Sequence, residues 1–479
     1  MKKIILFISF ICAALLYSCT PNHDINVNNP ESPVPVSRTE NPYLVSKEEA
    51  FKNLVQIVNG LEPISSRSVN SLKDRLSDIS VKDLEVVDNS STVLSTRTSK
   101  TEEMFYLVNF KDSCGYAVLS ADKRLPDPVL CIVDEGSISV KDFEHNVLRS
   151  SEDSIRKYVP DFKLYDSNID DYYVGMVQFD DERMNIHCLR RYYMINIDEP
   201  YYDSGGYGIA EENEKPTKLE NGDWTLKEGV NALLNTKWHQ GSPFNDYCPE
   251  KRKYWIWGDI NKAPAGCVPV AIAQIITYNR FPEDFTVNGI KMDWEAMNKA
   301  YDYLGNKVSF NVKTMLSMLI RNIGMDCHAF YTYKWTFTFP GFAANYLETI
   351  GYKNVKYRSG KYTDTCIDMI KSGKPVFIAA ISDVCDGHGW VLDGYKEYQR
   401  EVVKKEGDIV VERRKEKRIL VHSNFGWEGE ADGYYAAGLF DLTKGQEELD
   451  NKEIMMEKDI TKSNYNFDWA FRIITYDKD

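Results

Sequence analysis

Between Ala263 and Tyr278 the chain leaves a stretch broken by Pro264 and Gly266. It enters an apolar run with helical spacing, Val268, Ile272, Ile275 and Ile276. The first residue of that run is Cys267. Pro269 is incompatible with a helix interior but fits a first turn, whose N–H groups have no intrahelical partner. The pattern therefore predicts a helix that begins at Cys267. A cysteine in that position meets free N–H groups and the positive end of the helix dipole, which favour thiolate over thiol. Thiolate is the nucleophilic form. Cysteines are more often plain buried thiols, so Cys267 matters chemically only if a base accompanies it.

The candidate base is His388 in Asp386-Gly387-His388-Gly389-Trp390-Val391-Leu392-Asp393-Gly394. Glycines on both sides leave room for other groups to approach the imidazole, and a short apolar strand follows. It lies about 120 residues after Cys267, a separation typical of a pair joined only by folding. The other histidines in this half fit less well: His328 follows a helical run, His239 adjoins a different motif and His422 sits within a strand. The strand Ile419 to Ser423 runs into Asn424-Phe425-Gly426-Trp427-Glu428-Gly429. Asn424 there can accept an imidazole N–H and hold the useful tautomer, although an Asn before a glycine also serves simple turn chemistry. Upstream, Gln240 in Trp238-His239-Gln240-Gly241 offers a side-chain amide that, with the Cys267 N–H, suits an oxyanion.

The remaining chain bounds the setting. It has 479 residues, enough for two or three domains, and a net charge of -14, which argues against nucleic-acid partners. Lys2 and Lys3 precede the apolar run Ile4 to Leu16, too short to span a bilayer comfortably and ending at Leu16-Tyr17-Ser18-Cys19. This resembles a bacterial lipoprotein leader, with residues 1–18 as signal peptide and Cys19 as the lipidated residue; an ordinary signal peptide is the alternative. Residues 19–43 read as a Pro/Asn/Ser-rich tether. Ser46-Lys47-Glu48-Glu49 fits a capping box opening a helix, and Phe105 to Phe110, Tyr116 to Leu119 and Val129 to Val133 read as a strand meander. The polar stretch 203–223, with Gly205-Gly206, reads as an exposed linker open to proteolysis. Beyond it, the charged segment Gln399 to Arg418 reads as an extended hairpin or surface insertion. Ten cysteines lack regular spacing and show no CxxC, so mostly free, buried thiols are expected. There is neither HExxH nor metal-ligand histidine spacing, and no metal or cofactor is called for.

Four ordered segments resemble the streptopain family of papain-fold cysteine peptidases. They are Asn235 to Gln240 continuing to Tyr247-Cys248-Pro249, Ala265-Gly266-Cys267-Val268 to Tyr278, Gly387-His388 to Asp393-Gly394-Tyr395, and His422 to Gly429 with Asp432-Gly433-Tyr434. Gly115 to Asp122 and Asp134-Glu135-Gly136 resemble the family's Spi-type inhibitory prodomain. The resemblance implies Cys267 as nucleophile, His388 as base, Gln240 in the oxyanion hole and Asn424 as orienter. It implies substrate contacts at Gly387, Thr336 and Trp427, and a structural role for His422. Departures are Phe425 for a usual Trp, His239 for a Gly, Pro269 for a small residue, and the bulky stretch Tyr333-Lys334-Trp335-Thr336-Phe337 in place of a Gly/Ser-rich pocket.

The expected fold is α+β: a small α+β inhibitory prodomain at 44–202, the linker at 203–223, and a papain-like two-lobed peptidase domain at 224–479. The expected partners are protein or peptide substrates, the intramolecular prodomain, and a membrane through the Cys19 lipid. Two other readings stay open, a Cys–His amidase or acyl transferase on the same fold and a degenerate surface binding protein.

Overall fold

The structure, a computed structural model, describes residues 41, 43–61, 72–88, 102–144, 189, 192–193, 217–253, 259–359, 363–381, 387–439 and 470–478. The signal peptide, Cys19 and nearly all of the tether lie outside the described residues. Residues 43–479 form one compact unit.

The chain enters that unit through the expected cap. Ser46 accepts the Glu49 N–H at 3.2 Å and helix α1 runs over Lys47–Gly60, burying Leu54, Ile57 and Val58. After the short helix α2 (Leu72–Leu76) come β1 (Glu85–Asp88), β2 (Glu103–Asn109), β3 (Tyr116–Ser120) and β4 (Val129–Val133), then helix α3 (Val140–Glu144). The four strands form an antiparallel meander in chain order, with β3 and β4 buried at every position. Cys131 in β4 is fully buried, and loss of water pushes its thiol up to about 12, so it is inert.

The end of the expected exposed linker carries regular structure. Thr217–Asn221 is a strand, β5, paired antiparallel with residues 402–406. Asp223 is held by Lys52 at 2.9 Å and by the Gln56 amide at 2.7 Å, and β6 (Thr225–Val230) follows. Polar residues suit a strand whose side chains face water, because the ladder is built from backbone groups alone. Residues 203–216 lie outside the described residues.

The next segment builds a helical lobe. The ribbon β7 (Glu250–Arg252) and β8 (Ile260–Lys262) precedes α4, which spans Cys267–Asn279 and so begins at the predicted residue. The ribbon β9 (Thr286–Val287) and β10 (Ile290–Lys291) leads to α5 (Trp294–Asn298) and α6 (Phe310–Asp326). A further ribbon, β11 (Phe330–Tyr331) and β12 (Thr336–Phe337), precedes α7 (Pro340–Thr349). Every residue of α4 from Val268 to Thr277 is buried, since α5, α6 and α7 pack on it from one side and the strands at 376–381 and 387–406 from the other. A helix that is apolar on nearly every face has to be covered on all sides.

The other lobe is a sheet made by β13 (Lys353–Ser359), β14 (Val376–Ile381), β15 (Gly387–Glu406), β16 (Ile409–Asn424), β17 (Gly433–Ala436) and β18 (Ala470–Asp477), with α8 (Thr363–Lys371) packed on β14 and β15. β15 and β16 form the extended charged hairpin that the sequence predicts. The strand order is β1-β2-β3-β4-β17-β16-β15-β14-β18-β13, with β5 and β6 also paired to β15. The sheet therefore crosses from the N-terminal region into the C-terminal one through β4 and β17, with Ile132 opposite Tyr434. Gly433 makes this approach possible, because a Cβ there would lie 2.3 Å from the Ile132 carbonyl oxygen. The α+β, two-lobed architecture is as expected. The N-terminal region, however, is built into the sheet lobe and shares its apolar core.

Candidate active site

Cys267 is the first residue of α4, directly after Gly266, whose φ of 93° lies in a region L side chains rarely adopt. The preceding loop is clamped by backbone bonds: the Ala265 N–H donates to the Gln240 carbonyl at 2.8 Å and the Ala263 N–H to that of Pro249 at 2.9 Å. Gln240 thus sits beside the chain leading into Cys267. Its side chain is buried, and neither Oε1 nor Nε2 has a hydrogen-bond partner among the described residues. A buried primary amide without partners costs on the order of 1–3 kcal/mol. It is the condition expected of a donor kept for a ligand. His239 folds onto its own loop, its Nδ1 accepting the Gly241 N–H at 3.1 Å and its ring meeting Phe244 edge-on.

His388 is the second residue of β15, and α4 packs against this strand. A Cβ at Gly389 would lie 3.1 Å from Val268 Cγ2, so the backbone next to His388 passes close to the residue next to Cys267. The imidazole is enclosed by aromatic rings: Trp427 at 4.4 Å, Trp390 at 6.0 Å and Phe425 at 6.2 Å between centroids. Burial among these rings pushes its pKa from the ordinary 6.5 down to about 4, against a smaller raising effect of its one hydrogen bond. That bond is 2.8 Å long, from Nε2 to the Phe425 carbonyl oxygen. A carbonyl only accepts, so Nε2 carries the hydrogen and the lone pair of the neutral ring is on Nδ1. Nδ1 is buried and has no hydrogen-bond partner among the described residues.

The expected bond from Asn424 to the imidazole is not the one formed. Asn424 Oδ1 accepts from Gln274 Nε2 at 3.1 Å and from the Gly426 N–H at 3.2 Å, while its Nδ2 donates to the Thr236 carbonyl at 2.9 Å. The side chain turns toward α4, and the next residue's carbonyl takes the imidazole. The Phe425 N–H in turn donates to Asp432 Oδ1 at 2.8 Å. Phe425 stacks on Trp427 at 5.0 Å and on Trp390 at 5.4 Å, so an aromatic wall persists despite the departure at this position.

Thr336 in β12 is buried and donates to the Pro264 carbonyl at 2.6 Å, and its Cγ2 would lie 3.0 Å from a Cβ on Gly266. It therefore flanks the nucleophile's loop. Trp427 is buried with Nε1 unbonded among the described residues, and Gly387 opens β15 opposite Ile381. His422 is part of the framework: Nδ1 lies 2.6 Å from Asp393 Oδ1, and Nε2 lies 3.6 Å from Asp134 Oδ2 of the N-terminal region. The Phe425 carbonyl, Asp432 and Gln274 received no role in the sequence reading. Only Gln274 left a trace there, as a lone polar residue in an apolar helical run.

Residues 238–435 match the family model for the peptidase C10 family, and within them the chain carries a cysteine-type peptidase domain. Among solved structures, a prointerpain A fragment from Prevotella intermedia is similar at 17% identity and a TM-score of 0.46, over 82% of this chain and 98% of that one. Active interpain A cysteine protease from the same organism is similar at 18% identity and a TM-score of 0.34, over 51% of this chain and 94% of that one. No curated protein sequence matches the chain.

Proposed function

We propose, from the peptidase domain within residues 238–435, that the protein is an endopeptidase made as a zymogen, with Cys267 as nucleophile and His388 as base. The observation that carries the catalytic assignment is the free Nδ1 lone pair of a buried, neutral His388 on the strand packed against the Cys267 helix. Nδ1 takes the Cys267 proton, and the thiolate adds to a peptide carbonyl carbon. The resulting oxyanion is received by Gln240 Nε2 and the Cys267 N–H. Nδ1–H then protonates the leaving amine as the C–N bond breaks, leaving a thioester. Water, deprotonated by Nδ1, attacks the thioester and releases the acid and the Cys267 thiol. Gly387, Thr336 and Trp427 line the approach to these groups.

Residues 44–202 act as the inhibitory region. Support comes from Asp134, whose N–H donates to the Asp432 carbonyl at 2.8 Å, and from Glu135, which pairs with Lys237 at 2.7 Å. Asp432 accepts the N–H of Phe425, whose carbonyl holds His388, and Lys237 lies three residues before Gln240. Cys19 anchors the precursor by lipid to a bacterial envelope.

Casein digestion by the processed protein tests the catalytic reading. Cys267→Ala and His388→Ala are expected to abolish it, and Gln240→Ala to slow it on the order of 100- to 1000-fold. Release of new peptide N-termini separates a peptidase from an amidase or acyl transferase, and wild-type turnover in Cys267→Ala would refute the mechanism. For the anchor, Cys19→Ser is expected to move the protein from membrane to soluble fractions with activity unchanged. Lipid-free wild-type protein by mass spectrometry would contradict it.

A further inference from the structure

Three side-chain hydrogen bonds close a buried triangle between separate parts of the site. Thr236 Oγ1 donates to Gln274 Oε1 at 2.5 Å, Gln274 Nε2 donates to Asn424 Oδ1 at 3.1 Å, and Asn424 Nδ2 donates to the Thr236 carbonyl at 2.9 Å. All three residues are buried. Each corner belongs to an element that carries one working group. Gln274 is seven residues after Cys267 in α4, which at 3.6 residues per turn puts it on the same helix face. Thr236 precedes Gln240 by four residues, and Asn424 directly precedes Phe425, whose carbonyl holds His388 Nε2.

We infer that Gln274 is a positioning residue for the peptidase reaction, locking the helix of the nucleophile to both the oxyanion loop and the acceptor of the imidazole. The inference rests on the active-site assignment above. A side-chain amide donates through its nitrogen and accepts through its oxygen, and here Gln274 uses both. A Cβ on Gly426 would lie 3.4 Å from Val270 Cγ1 and 4.0 Å from Gln274 Nε2, so the 424–428 turn runs close along α4 beside these directional bonds. The Glu428 N–H adds a bond from the same turn to the Trp238 carbonyl at 3.2 Å, on the segment between Thr236 and Gln240. Asn424 accordingly acts on the imidazole through the chain, by placing the Phe425 carbonyl, rather than by touching the ring.

The test uses the processed full chain. Gln274→Met keeps volume and removes both bonds, Thr236→Val removes one, and Thr236→Ser restores the hydroxyl. Gln274→Met and Thr236→Val are expected to lower kcat on the order of 10- to 100-fold with KM nearly unchanged. Both are expected to shift the pH profile of Cys267 alkylation by iodoacetamide, while Thr236→Ser behaves as wild type. A simple loss of stability would lower the active fraction without moving that profile. Wild-type kcat and an unshifted profile in folded Gln274→Met overturn the inference. If Gln274→Met does not fold, the same result in Thr236→Val overturns it. A Cys267→Ala protein that still cleaves casein overturns the active-site assignment instead.

Discussion

Burial of His388 has a consequence at the residue scale that is separable from catalysis. Its folded pKa, about 4, lies below the ordinary 6.5, so between these values the unfolded chain binds a proton that the folded chain excludes. Its contribution to stability is therefore complete above about pH 6.5 and is lost as pH falls toward about 4. His388→Gln retains an N–H for the Phe425 carbonyl but does not titrate. Urea unfolding at about pH 7 and about pH 4.5 is expected to show a larger stability loss in wild type than in His388→Gln. Equal losses would place the neutral imidazole elsewhere. The same burial favours the base form of the ring, which the first proton transfer requires.

At the element scale, the decisive contact is α4 against β15. Gly389 lies at this contact: an added Cβ would meet Phe377 at 3.0 Å and Val268 Cγ2 at 3.1 Å. Neither neighbour is the far end of a flexible chain, so the helix and strand must part by a few tenths of an ångström. Gly389→Ala is expected to lower kcat about tenfold or more through misalignment of Cys267 and His388. The loss of stability is expected to stay within about 1–3 kcal/mol. Wild-type kcat in Gly389→Ala would show that the site tolerates movement of these two elements. The flanking glycines of His388 are legible in the sequence as a sign of close approach, whereas the side chains that make the approach are not.

The whole molecule changes the expected route of activation. Strand β5 begins at Thr217 and Asp223 is tied to α1 by Lys52 and Gln56, so ladder pairing and these contacts oppose a cut within 217–223 and the first cut is expected before Thr217. N-terminal sequencing of the processed form is expected to find the first cut on that side. Cleavage does not by itself free the N-terminal region, because β4 remains paired to β17 and both sides share one apolar core. The two fragments are expected to co-elute on native gel filtration, separate in denaturant, and gain activity later than the first cut. Immediate separation with full activity at the first cut would show a weaker interface than the continuous sheet implies.

What the sequence alone determined is local. The start of α4 at Cys267 follows from a proline allowed only in a first turn, the cap at Ser46 from a serine with glutamate three residues on, and strands β2 and β4 from short apolar runs bounded by turns, although β2 spans Glu103–Asn109 rather than 105–110. The candidates Cys267, His388 and Gln240 were legible because their chemistry depends on residue type. Tertiary structure decided which atoms meet. The imidazole bonds to the Phe425 carbonyl rather than to Asn424, Gln274 joins three distant segments, β5 forms from a polar stretch, and β4 extends the sheet across β17. In the strand pairings and the imidazole contact the partner is a backbone carbonyl or N–H, and every residue except proline carries both. Residue identity therefore cannot mark which pair will form, and only the folded path of the chain selects it.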